Sequence, residues 1–168
     1  MRLAVNLSPR QLLVPNLGDV VRGILEDTGL PPECLELELT ETAAVLDLDS
    51  VLDILRELHE QGVMTVIDDF GVGESWLARL SDLPVRTLKV DRYFISGITS
   101  PGNALAIVEA VIALGHALGL LVIAEGVETE AQLAALRAAN CDMVQGFYYA
   151  PALTPDDCAR FVEGAVPA

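Results

Sequence analysis

Short apolar runs alternate along this chain with longer stretches in which apolar positions recur every three or four residues, so the hydrophobic period switches repeatedly between strand and helix values. Residues 3–7, 34–39, 63–67, 85–90, 120–124 and 143–144 read as strands. Residues 18–28, 50–61, a short stretch around 75–80, 103–118, 130–139 and 155–162 read as helices. Ser50 or Asp49 is the expected N-cap of the second helix, Gly62 its stop, and Thr129 the cap of the helix that follows it. Six strand-then-helix units of this kind predict an α/β fold with a mainly parallel sheet and helices outside it. A closed (β/α)8 barrel has two more units and about 250 residues. The expectation is therefore an incomplete TIM-type (β/α) barrel of about six units, with open edges near residues 3–7 and 143–144. No linker, low-complexity segment or internal sequence repeat divides the chain, so 1–168 reads as one domain.

Composition narrows the partners. With 168 residues and 52% apolar content the chain can bury a sizeable core. A net charge of −15 opposes a nucleic-acid polymer or an anionic membrane surface, while a small phosphorylated ligand is acceptable if a cation accompanies it. Cys34, Cys141 and Cys158 are odd in number and lack CxxC spacing, which reads as reduced thiols in a cytoplasmic protein. Met1-Arg2 leads straight into a strand without the apolar core of a secretory signal. The apolar run 104–124 is interrupted by Glu109, Gly115, His116 and Gly119 and turns β-branched, so a buried helix followed by a buried strand is expected there, not a membrane span.

Nearly every strand stops at a group able to hold a metal or a phosphate: Asn6, Glu38 with Glu41, Asp68 with Asp69, Lys89, Glu125 with Glu128, and Gln145. In parallel α/β folds the loops after the strand ends share one face, so these groups converge. Asp68-Asp69 is the strongest pair. Adjacent carboxylates followed by Gly71 and Gly73 repel one another unless a cation intervenes, and oxygen donors without histidine favour Mg2+ or Mn2+. The competing reading makes Asp69 a helix cap and Asp68 a solvated turn residue. In 36–41, alternation puts Glu36 and Glu38 on one side and the leucines on the other, turning at least one carboxylate into the barrel. Lys89 either pairs with Asp91 or serves a phosphate or an attacking water. Glu125 is a candidate ligand or general base, and Glu128 a supporting group or helix cap. His59 and His116 lie in helices, where surface or packing roles are expected. Trp76, Phe147, Tyr148 and Tyr149 are assigned to core or rim.

These segments together resemble the EAL-type cyclic di-GMP phosphodiesterases. The resemblance rests on Val5-Asn6-Leu7-Ser8, Leu37-Glu38-Leu39-Thr40-Glu41, Ile67-Asp68-Asp69-Phe70-Gly71, Leu88-Lys89-Val90-Asp91, the run from Ile123 to Thr129, and Gln145-Gly146-Phe147, and it covers essentially the whole chain. It implies that Asn6, Glu38 and Asp68 hold one divalent ion, and that Asp68, Asp69 and Glu125 reach a second. Lys89 and Glu125 are the implied catalytic groups. Glu41, Asp91, Glu128 and Gln145 are implied to bind substrate or brace the site, with Glu41 supporting the loop after Asp69. The implied reaction opens cyclic di-GMP to linear pGpG. The strand bearing the family's Glu-Ala-Leu motif precedes the one with Asn6, and Glu109-Ala110-Val111 lies in a helix, so the chain reads as an N-terminally truncated member. A cyclic di-GMP-binding module without turnover is the alternative. Expected associations are a homodimer through the open edges and, in a longer protein, an upstream sensory or GGDEF domain.

Overall fold

The computed structural model describes residues 2–40, 48–71, 80 and 82–165 and is organised by six parallel strands lying side by side in sequence order. The elements are β1 (Leu3–Leu7), α1 (Pro9–Leu12), α2 (Leu17–Thr28), β2 (Leu35–Thr40), α3 (Leu48–Glu60), β3 (Met64–Phe70), β4 (Thr87–Val90), α4 (Arg92–Ser96), α5 (Ala104–Ala117), β5 (Leu121–Glu125), α6 (Glu130–Ala138), β6 (Met143–Gln145) and α7 (Pro155–Ala165). A parallel neighbour can be reached only by a crossover, and crossovers of one hand in one direction keep the helices on one face. The sheet curls accordingly into an open part of a TIM-type barrel, with β1 and β6 as its edges.

Side-chain alternation divides the sheet. Leu35, Leu37 and Leu39 of β2 are buried against the helical layer with Leu25 of α2 and Leu55 and Leu58 of α3. A second buried cluster continues along the same layer through Val90, Ile95, Val108, Ile112, Val122 and Leu136. At about 25 cal/mol per Å2 of apolar surface removed from water, this layer is the main favourable contribution to folding. The register Glu38↔Val66, Val66↔Thr87 and Thr87↔Leu121 traces the opposite, concave face, where the polar groups collect toward the strands' carboxyl ends.

Several boundaries differ from expectation. Helix α3 already includes Leu48, so Asp49 and Ser50 lie inside it and neither is the cap. Strand β3 runs on through the Asp pair to Phe70, because Asp68 pairs with Thr40 instead of opening a loop. Two short helices, α1 and α4, were not anticipated. Ser8 caps the first in a reciprocal capping box with Gln11, and Asp91 caps the second by accepting from the Tyr93 amide. The Thr129 cap is found as expected, in a capping box with Gln132. The helix expected around 75–80 lies outside the described residues except for Leu80, which is buried. Helix α5 has 14 residues and ends before β5, and no helix among the described residues is long and apolar enough to cross a membrane. The three cysteines are free thiols.

Candidate metal centre

Strand register staggers the expected groups along the concave face near the carboxyl ends of the strands. Asn6 lies opposite Glu38, Thr40 opposite Asp68, and Glu125 opposite Gln145. Glu36 and Glu38 share the concave face, as alternation required. Neither is a wet edge residue: their side chains are 14% and 11% exposed, and Glu36 pairs with Arg2 at 3.6 Å.

The Asp pair depends on a break in the sheet. Ile67 pairs with Leu88 and Phe70 with Val90, so β3 carries one residue more than β4 between those points, a β-bulge. Asp69 occupies the bulge with φ of 55°, the left-handed region that Asp tolerates better than most residues. In a regular strand Asp68 and Asp69 would point to opposite faces. Here carboxylate oxygens of Asp68, Asp69 and Glu125 all lie within 4.8 Å of one another. The Asp68 carboxylate also accepts from the Asp69 amide at 2.9 Å. Asp69 is therefore a strand residue, not a helix cap, and Asp68 is 8% exposed, not a solvated turn residue.

Lys89 is the hub. Its side chain is 4% exposed, and Nζ lies 2.5 Å from Glu125, 2.6 Å from Glu38 and 3.4 Å from Asp68. Of the two alternatives for Lys89, the structural pairing with Asp91 is not the one that forms. Alternation turns Lys89 into the concave face, while Asp91 has left β4 to cap α4. Burial works against the Lys89 charge, but hydrogen bonds to Glu125 and Glu38 outweigh it and hold the ammonium well above its ordinary pKa. Burial pushes the Glu125 carboxyl up despite Lys89, and the charges of Asp68 and Glu38 add to the effect. Burial, then the neighbouring charges of Asp68 and Asp91, push Asp69 up as well.

The donor set suits a hard divalent cation. Four carboxylates, Glu38, Asp68, Asp69 and Glu125, crowd one ammonium, and two of them are held above their ordinary pKa by burial and mutual repulsion. All the donors are oxygens, and the amide of Asn6 stands on the adjoining strand opposite Glu38.

The outer groups are looser. Glu128 is exposed at the mouth and is not the cap of α6, a role taken by Thr129. With Asp91, Arg92, Tyr93, Ser96, Gly126 and Gln132 it lines a polar cleft beside the carboxylates. Gln145 is exposed at the end of β6. Glu41 and the loop 72–76, including Trp76, lie outside the described residues. Phe147, Tyr148 and Tyr149 form an exposed rim with no share in the core. His59 is exposed, and His116 pairs with Asp142 at 2.9 Å at the other end of the strands, near the start of β5.

Two features escaped the sequence reading. The loops after β5 and β6 cross at Val127, whose N–H donates to the Gln145 carbonyl at 3.0 Å and whose carbonyl accepts from Tyr148 at 2.9 Å. Gly146 permits the crossing, since a Cβ there would stand 2.2 Å from the Val127 carbonyl oxygen. The second is Gln132, buried beside the site. Its only signal was the Thr129-x-x-Gln132 capping-box spacing.

Comparison with known proteins bears on the family and the fold. The family model of the EAL domain matches residues 1–152. The cyclic di-GMP phosphodiesterase NbdA of Pseudomonas aeruginosa is 46% identical over 149 residues, which cover 89% of this chain and 19% of NbdA. The structure of the MucR phosphodiesterase of the same organism in its cyclic di-GMP complex superposes with a TM-score of 0.89 at 43% identity, covering 94% of this chain and 64% of that one. A manganese and cyclic di-GMP complex of Klebsiella pneumoniae BlrP1 superposes with a TM-score of 0.82 at 32% identity, over 89% and 38% of the two chains. The chain spans about a fifth of the length of the curated relatives it matches. With the strand-end motifs, the curled sheet and the family pattern in agreement, this chain belongs to the EAL domain family.

Proposed function

We propose that this domain hydrolyses cyclic di-GMP to linear pGpG. One observation carries the reading: Glu38, Asp68 and Glu125 converge on Lys89 at the carboxyl ends of the strands, with Asp69 beside Asp68 and Glu125, in a chain matched by the EAL pattern. Asn6, Glu38 and Asp68 are assigned to one Mg2+ or Mn2+ ion, and Asp68, Asp69 and Glu125 to a second. Such ions supply Lewis acidity and lower the pKa of water at neutral pH.

The chain's own groups then have defined tasks. Water adds to one phosphorus, the bond to a ribose 3′ oxygen breaks, and that oxygen leaves with a proton. Lys89 Nζ donates to a phosphate oxygen or to the attacking water and stabilises the charge that grows on phosphorus. Its rigid partners keep the ammonium aimed before substrate arrives, which removes reorganisation from the barrier. Burial raises the Glu125 carboxyl above its ordinary pKa, which makes it a stronger base than an exposed carboxylate toward a proton or a cation. Asp91, Glu128 and Gln145 are assigned to the substrate at the mouth, and Glu41 to bracing the loop after Asp69.

The wider setting is part of the same proposal. A sensory or diguanylate cyclase unit in a longer cytoplasmic protein would regulate the site, and the edges at β1 and β6 would be covered by association, including with a second copy. Exposed Leu3 and Val5 on β1 support that assignment, because open apolar strand edges attract partners.

The test is incubation of the purified, size-fractionated chain with cyclic di-GMP and Mg2+ or Mn2+ beside a Glu125→Ala control. Formation of pGpG that disappears in the control is expected. Nucleotide binding without turnover would overturn hydrolysis in favour of a receptor, and absence of both would overturn the assignment for this chain.

A further inference from the structure

Gln132 is 7% exposed, and both ends of its amide are used. Oε1 accepts from the backbone N–H groups of Glu128 at 2.8 Å and Thr129 at 3.0 Å. Nε2 donates to the carbonyl of Ile95 at 3.3 Å. Capping α6 requires only the acceptor, and a carboxylate would serve a helix N-terminus at least as well. The donor is surplus to capping. It is spent on a buried carbonyl of α4, the short helix that follows the Lys89 strand.

The two segments joined in this way carry the two central groups of the site. Glu125 ends β5, and its loop turns at Gly126, with φ of 73°, against Arg92 of α4; a Cβ on Gly126 would stand 2.5 Å from the Arg92 Cβ. Lys89 lies on β4 just before Asp91 and α4. Hydrophobic contact between α4 and α6 brings the segments together without specifying a register, whereas a directional hydrogen bond to a backbone carbonyl from a side chain itself held by two backbone N–H groups does. We infer that Gln132 is a positioning residue for the reaction: its bond to the Ile95 carbonyl sets the loop after Glu125 against the helix after Lys89, and so holds the 2.5 Å contact between those two side chains. The inference rests on the phosphodiesterase reading for its kinetic consequence, but not for its geometric one.

Gln132→Glu separates tie from cap, because an ionised carboxylate keeps both acceptor bonds and loses the donor. Thr154→Ala, which removes the hydroxyl cap of the Asp157 amide on α7, supplies a destabilised control remote from the carboxylates. The full chain carrying each change is compared with wild type in kcat and KM for cyclic di-GMP at pH 8, and in Mn2+ affinity by calorimetry without nucleotide. Gln132→Glu is expected to lower kcat about tenfold with KM changed less than about twofold, and to weaken Mn2+ binding about tenfold. Thr154→Ala is expected to leave both unchanged. Added negative charge alone would strengthen cation binding, so weakening reports lost position and not charge. The inference is overturned if Gln132→Glu keeps kcat and Mn2+ affinity within about twofold of wild type, or tracks the Thr154→Ala control. If wild type shows no turnover, the phosphodiesterase reading fails separately, and the Mn2+ measurement alone decides the tie.

Discussion

Replacing Lys89 by Met tests the electrostatic account of the site most directly. The substitution keeps a long apolar stem but removes the cation that pairs, among the described residues, with Glu38, Asp68 and Glu125, whose side chains are 11%, 12% and 20% exposed. Two unit charges about 4 Å apart interact by about 4 kcal/mol at an effective dielectric constant near 20. Removing one partner of a buried pair typically costs about 3–5 kcal/mol, since the other charge is left without compensation. Three carboxylates lose a partner here, and they can recover only by protonation or by binding a cation. Lys89→Met should therefore destabilise the metal-free domain by about 3–5 kcal/mol at pH 7.5, measured by urea unfolding in the presence of a chelator.

The pH dependence has a definite sign. Lys89 is raised in the fold above its ordinary value of 10.5, so its contribution is fully present below that pH and is lost only in more alkaline solution. In the variant Glu125 loses the partner that lowers its pKa, and the three carboxylates are left facing one another without a cation. Protonation then relieves the repulsion, and the deficit relative to wild type should shrink from pH 7.5 to pH 5. Millimolar Mn2+ should shrink it as well. A deficit below about 1 kcal/mol, or one independent of both pH and Mn2+, would refute the buried-charge reasoning.

Three further outcomes follow from individual contacts. Asp69→Asn removes a carboxylate raised by burial and by Asp68 and Asp91 while keeping a side chain tolerant of positive φ; it should stabilise the metal-free fold in thermal melts yet weaken Mn2+ binding about tenfold or more by calorimetry. Gly146→Ala forces a Cβ to 2.2 Å from the Val127 carbonyl oxygen, so it should cost about 3 kcal/mol in urea unfolding and expose the Val127 and Tyr148 amides to hydrogen exchange. Asp142 is opposed by burial, but its bonds to the Val122 amide and His116 hold its pKa below 3.8, so its stabilisation is present above that value and fades as pH falls through the lower folded one. Asp142→Asn should accordingly cost about 1.5 kcal/mol at pH 7 and little at pH 3.

The order of elements and the level at which the polar groups gather were legible in the sequence. A period of two that switches to 3.6 records which side of each segment is buried, and apolar runs ending in carboxylates mark strand ends in a parallel fold. The Glu-Leu alternation in β2 determined that Glu36 and Glu38 share one face, because that consequence is local. The partners of Lys89 were not local. Asp91, two residues away, was the nearest candidate in sequence, but Glu38 lies 51 residues away, and only the curl of the sheet brings it to 2.6 Å.

The Asp pair shows the same division. Its position and chemistry were plain in the sequence, whereas a regular strand would have split the two carboxylates between opposite faces. Tertiary pairing of β3 with β4 decided otherwise by leaving one residue unmatched, and Asp69 accepts the left-handed backbone that results. Gln132 could be read as a helix cap but not as a bridge, since its second partner belongs to a helix of five residues, too short for a periodic signal. The sequence by itself determined which polar groups gather at the strand ends, through burial patterns set within each segment. Only the tertiary structure decided which of those groups touch, because register, bulge and loop crossing depend on packing between segments far apart in the chain.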